Sequence, residues 1–168
     1  SREAADPVTV GLLRVRLQLQ EGEFDRALTL VESLHRRSPD HPGVLRLLAS
    51  ARKGLRDWDG LRALLPDLKR HKAITPEELE SLEVEVHRER LSSFVDTQPE
   101  NRANSEKQGA LDQLWDSLPR RLHKHPDLVA AYVNQLRRLG RGDKAEPRLR
   151  RFLNNHWNPR LVALYGTI

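Results

Sequence analysis

Phe24-Asp25 with Ala27 and Trp58-Asp59 with Leu61 stand 34 residues apart, and the same offset relates Leu34 to Leu68 and Pro42 to Pro76. A repeated interval of this length constrains the fold more than any single motif in the chain. Each copy is a supersecondary unit that cannot bury its apolar face alone, so the copies must stack. Apolar residues recur at helical spacing within each interval, and Gly or Pro separates the runs. The pattern predicts an all-α solenoid of antiparallel helix pairs with no sheet, forming a single domain over residues 1–168.

Helix starts and stops follow from local chemistry and predict nine helices. Asp6-Pro7 opens the first, with Leu12, Leu13, Val15, Leu17 and Leu19 on its apolar side as far as Gly22. The second runs from Phe24 to Arg37 and stops before Ser38-Pro39. His41-Pro42 opens the third, which ends near Gly54, and Asp57 or Trp58 opens the fourth, which carries Pro66 inside it. Thr75-Pro76-Glu77-Glu78 has capping-box spacing and begins a fifth. Asp96 to Asn104 forms a polar loop between two sub-arrays. Ser105 and Gln108 then predict the start of a sixth helix through Leu111, Leu114, Trp115, Leu118 and Leu122, across Pro119. Helices opening at Pro126, beyond Gly140 to Gly142, and at Asn158-Pro159 complete the set. The ninth would have no mate, leaving Leu161, Leu164 and Tyr165 exposed and a dimer through that helix as an expected outcome. Gly22, Gly54, Gly140 and Gly142 are read as turn glycines, and Trp58, Trp115 and Trp157 as packing anchors. Small residues at Ala27 and Ala145 predict close helix crossings.

The interval is that of the tetratricopeptide repeat, a helix–turn–helix unit that binds partners far more often than it performs chemistry. Composition agrees with that direction. Aromatic residues are 5% of the chain, and the apolar set is mostly Leu, Val and Ala, which favour helices over strands. Basic side chains number 29 against 24 acidic ones, Arg greatly outnumbers Lys, and the acids are interspersed on the same helices. That mixture describes solvated faces better than a nucleic-acid footprint, so no nucleic acid is expected and an RNA-binding solenoid ranks last. With no Cys, disulfides, thiolate metal sites and cysteine nucleophiles are excluded. The absence of Met predicts a piece of a longer protein. No apolar run approaches the roughly 20 residues that span a bilayer.

No catalytic constellation and no metal site are predicted. The clusters His123-Lys124-His125 and His35 with His41 lie near helix ends, where imidazoles bond free carbonyls. The acid pairs are surface or first-turn charges. Helix geometry supplies the candidate binding residues instead. The first helix of each pair should line a concave groove, placing there Arg16 on the first helix, Arg46, Ser50 and Lys53 on the third, and Asn134 and Arg137 on the seventh. The fifth helix contributes Glu80 and His87. Such a groove would be basic at both ends and suited to an anionic partner.

Certain segments also resemble a known family. They are Glu21 to Leu28, His41 to Leu48, Asp57-Trp58 with Leu64-Leu65-Pro66, Thr75 to Leu79, Leu114 to Pro119, and Asn158 to Val162 with Leu164-Tyr165-Gly166. They are similar to the tetratricopeptide domain of the HemY family, inner-membrane proteins of proteobacteria associated with haem biosynthesis. The prolines at 66 and 119 are the most specific features, and the loop from Asp96 to Asn104 looks expanded. The resemblance implies a longer parent with N-terminal membrane spans and further C-terminal repeats. This chain would then be a soluble extramembrane domain, placed on the cytoplasmic side of a Gram-negative inner membrane. It implies a scaffold for haem-pathway enzymes, with direct haem or porphyrin binding in the groove as the alternative and no resident cofactor. It carries over no catalytic motif.

Overall fold

The computed structural model describes residues 6–167. Among them are nine α-helices, two short 3-10 helices and no strand. The chain forms two compact units that meet in sequence at Val86 and His87. That division falls inside a helix, upstream of the polar loop expected to mark the seam.

The first unit contains α1 (Pro7–Gln20), α2 (Phe24–Arg37), α3 (Pro42–Gly54), α4 (Trp58–Arg70) and the beginning of α5 (Pro76–Ser92). Connections of a few residues fold α1, α2, α3 and α4 into successive hairpins, and α1 also packs on α3. The starts of α2 and α4 lie 34 residues apart, as do those of α3 and α5. The interval in the sequence is therefore the period of the helices. Val15, Ala27, Val31, Leu45, Leu48, Leu61, Leu68 and Val86 form its fully buried core. The capping box forms as its spacing requires. Thr75 N–H donates to Glu78 Oε2 at 2.8 Å, and Glu78 N–H donates to Thr75 Oγ1 at 3.1 Å.

One turn is used repeatedly. Gly22, Arg56 and Lys72 adopt left-handed φ values of 75°, 56° and 50°. At each, the next residue's N–H returns to a carbonyl five positions back: Glu23 to Gln18, Asp57 to Arg52 and Ala73 to Leu68, at 2.8, 2.9 and 3.0 Å. This is the Schellman stop, which satisfies carbonyls that the helix end leaves free. Gly54 is therefore not the turn residue that the sequence suggested. It closes α3, where a Cβ would collide with the Phe24 ring, and Arg56 takes the left-handed position one period after Gly22.

The face of α1 also differs from expectation. Leu13 and Leu17 are 59% and 54% exposed, while Gly11 and Val15 face the core. Alternating apolar residues at 13, 15, 17 and 19 cannot share one face when successive side chains turn by about 100°. Gly11 joins the inner face because Leu34 packs against it, with its Cδ2 only 2.8 Å from where a Cβ would stand.

The second unit holds the rest of α5, a 3-10 turn at Val95–Thr97, α6 (Asn104–Asp116), a 3-10 turn at Arg120–Lys124, α7 (Pro126–Arg138), α8 (Gly142–Asn155) and α9 (Pro159–Tyr165). Leu111, Leu128, Tyr132, Leu136, Ala145, Leu149 and Leu161 are its buried centre. The expected sixth helix through Leu122 stops at Asp116 instead. Pro119 lacks an N–H and disfavours helical backbone at the residue before it, so Leu118 and Leu122 are buried from a turn and a 3-10 segment. No side chain caps α6, whose first residue is Asn104, so Ser105 lies within the helix and its predicted cap does not form. Pro66 remains inside α4, and Pro147, unremarked in the sequence, lies inside α8. Both are exposed, so water can serve the carbonyl that each leaves unbonded.

Two further expectations change. Leu161 is 1% exposed, and the Tyr165 hydroxyl donates to Glu146 Oε1 at 2.8 Å. The ninth helix is thus docked on α8 and α7, not left presenting Leu161. Trp157 is 78% exposed, in the turn between α8 and α9, so among the described residues it is not the packing anchor expected.

Candidate functional site

In the first unit, Arg46, Ser50 and Lys53 follow one another at spacings of four and three along α3, which places them on one face. They line an open cleft of about 530 Å³ whose other wall is the first half of α5, through Glu77, Glu78, Ser81 and Glu85. Ala49, Ile74 and Leu82 give it an apolar component. Both cations are engaged. Arg46 Nε donates to the Ala73 carbonyl at 3.1 Å, and Lys53 Nζ meets Glu85 Oε2 at 2.7 Å. Glu78 is occupied by the capping box. The expected basic groove is thus a mixed-charge cleft in which three carboxylates face two cations. The correction has a simple origin: α5 turns a row of Glu toward α3, and pairing across two helices is invisible to the spacing within one.

The remaining predicted residues do not join this cleft. Arg16 is exposed on α1 and does not line it. His87 is 6% exposed, so it offers no groove contact. Asn134 and Arg137 are exposed on α7 in the second unit, where Arg137 donates to Asn134 Oδ1 at 3.5 Å and to the Thr167 carbonyl at 3.2 Å.

A second recess, of about 320 Å³, lies wholly within the second unit and was not anticipated. Its wall is aromatic. Trp115 stacks on Tyr132 with centroids 4.7 Å apart and on His123 at 4.9 Å, and Phe152 stacks on His156 at 5.0 Å. The His123 ring is fixed by the Trp115 carbonyl, 2.9 Å from Nε2. The Arg148 guanidinium lies over the Tyr132 ring at 4.9 Å. The Tyr132 hydroxyl donates to Asp112 Oδ1, and burial, reinforced by that bond, pushes its phenol well above the ordinary range. Tyr132 therefore stays a neutral donor. Lys124, Arg148 and Arg151 are also part of the lining, which among the described residues includes no carboxylate. Arg148, Arg151 and Asn155 share a face of α8 by their spacing, which was the one available signal. The convergence with Trp115 required α6, α7 and α8 to come together.

Among the described residues no group of three or more His, Asp or Glu side chains is placed to hold a metal ion, and no helix is long and apolar enough to cross a membrane. No protein-family model, curated protein or solved structure matches this chain.

Proposed function

We propose that the chain is a non-catalytic protein-interaction module of stacked tetratricopeptide-type helix pairs, belonging to a membrane-anchored scaffold of late haem biosynthesis. The observation that supports it most is the open cleft between α3 and α5. It presents Arg46, Ser50 and Lys53 opposite Glu77, Ser81 and Glu85 over an apolar floor, an arrangement of polar rim and apolar centre that suits a protein surface. The resemblance to the HemY family supplies the haem-pathway context. Burial of His87 removes the residue best suited to contact haem in the groove, and the excess of carboxylates in the cleft disfavours RNA.

The test is a photo-reactive residue at Ser50 in the full-length membrane-bound protein, with one at exposed Arg62 on α4 as the control position. Cross-links from Ser50 to haem-pathway enzymes, lost on Lys53→Glu with Glu85→Gln, are expected. Cross-links that are equal from both positions, or that include no such enzyme, would remove the reading. A saturable one-to-one Soret shift on haem titration would replace it with the carrier.

A further inference from the structure

We infer that the recess on the second unit is an anchor site for an acidic segment of a partner protein, taking one aromatic side chain between Trp115 and Phe152 and its flanking carboxylates on Lys124 and Arg151. The inference deepens the interaction-module reading and rests on it, but it concerns a different surface. Its volume, about 320 Å³, sits at the lower limit of ligand pockets, which suits one large side chain with its backbone. The wall is built of rings already held in place: Trp115 stacks on both Tyr132 and His123 and is 9% exposed, so an incoming ring meets its edge and the side of Phe152. Edge-to-face or offset stacking of this kind adds to affinity beyond the area buried.

Charge decides what accompanies the anchor. Arg148 is committed, lying on the Tyr132 ring with its guanidinium 4.0 Å from Asp112. Lys124 and Arg151 are exposed, line the recess and have no ion pair among the described residues. Two uncommitted cations beside an aromatic wall free of carboxylates complement an acidic, aromatic segment.

The position of these groups favours carboxylates over a phosphate. Phosphates are held by converging backbone N–H groups, usually at a helix N-terminus. Here the lining residues of α8 run from Arg148 to Asn155, its C-terminal half, where the backbone N–H groups are used within the helix and none is free to cradle a phosphate. Long cationic side chains reaching outward from a carbonyl-rich end fit charges spaced along a polypeptide. Aromatic anchors in such pockets carry most of the affinity of an interface, and rim charges tune rate and salt dependence.

The experiment uses the whole chain and a fluorescein-labelled nonapeptide with a central Phe flanked on each side by four alternating Asp and Glu. Anisotropy should give saturable binding in the micromolar range, weakened at least tenfold when the central Phe of the peptide is replaced by Ala. Lys124→Glu with Arg151→Glu should weaken it at least tenfold without changing the melting temperature, since both residues are exposed. Phe152→Ala should do the same where its circular dichroism matches the parent. Lys69→Glu, at an exposed position of α4 outside both recesses, should leave binding unchanged. Absence of binding, indifference to both the Phe and the double charge reversal, or tighter capture of a labelled oligothymidylate than of the peptide would overturn the assignment. None of these results bears on the cross-links from Ser50, so the two readings can fail separately.

Discussion

Arg56 and Lys72 show how a single backbone position carries a cost that their neighbours hide. Both hold φ values that glycine adopts freely, whereas a side chain there costs about 1–2 kcal/mol. Lys72→Gly should therefore stabilise the protein by about 1 kcal/mol, and Gly22→Ala should destabilise it by a similar amount. Arg56→Gly should gain less, because the Arg56 guanidinium stacks over Trp58 at 5.7 Å and such a contact is worth about 0.5–1 kcal/mol at an exposed site. Urea melts of the three variants give the order directly. Ala27 is a different case, fully buried where α2 packs against its neighbours. Ala27→Leu should cost about 1–3 kcal/mol through overpacking, and an unchanged urea midpoint would mean that the crossing has room to spare.

At the scale of elements, the second unit is held by two contacts across some forty residues of chain. The Gln135 side chain, 3% exposed, donates from Nε2 to the Ser92 carbonyl at 2.9 Å and accepts at Oε1 from Val95 N–H at 3.0 Å. It thereby serves a carbonyl that the end of α5 leaves free and an N–H at the start of the following 3-10 turn. Gln135→Leu keeps the volume but strands both, and should cost about 1–3 kcal/mol. Just beyond, Arg138 holds Asp96 through two bonds, at 3.0 and 2.5 Å. That hydrogen bonding lowers the Asp96 pKa below the ordinary carboxylate value. A depressed folded pKa makes the contribution fully present above the unfolded value and lost as pH falls through the folded one. Carboxyl NMR titration should place the Asp96 midpoint below that of an unpaired Asp, and Arg138→Gln should return it. The pair is exposed to solvent, so the melting temperature should hardly respond.

For the molecule as a whole, the division at Val86 has a direct consequence. The first unit owns a continuous core from Val15 to Val86, and α1 to α4 contact one another in sequence order. A fragment of residues 6–92, which keeps α5 entire, should be helical and melt cooperatively. A gradual, non-cooperative loss of ellipticity would show that its core depends on the second unit. Local contacts of this kind also favour rapid folding. The exposed Leu13 and Leu17 make the same fragment the place to test the face of α1. There, Leu13→Ala should change stability little while Val15→Ala, at a fully buried site, should cost about 1–3 kcal/mol.

The helices and their period were legible in the sequence because they depend on local chemistry. Asp6-Pro7, His41-Pro42, Thr75 to Glu78 and Asn158-Pro159 start helices through bonds within a few residues, and a 34-residue interval survives whatever the side chains later touch. Even the change at Pro119 is local, since a proline competed with a helical apolar pattern and won. What only the tertiary structure decided is which charges and rings meet. Lys53 and Glu85 lie on different helices, so the cleft's mixed charge could not follow from the spacing of Arg46, Ser50 and Lys53 alone. Trp115, Tyr132 and Phe152 come from α6, α7 and α8, and their recess exists only where three helices pack. Helical spacing tells which residues share a face; the partner of that face is set by the packing of the chain around it.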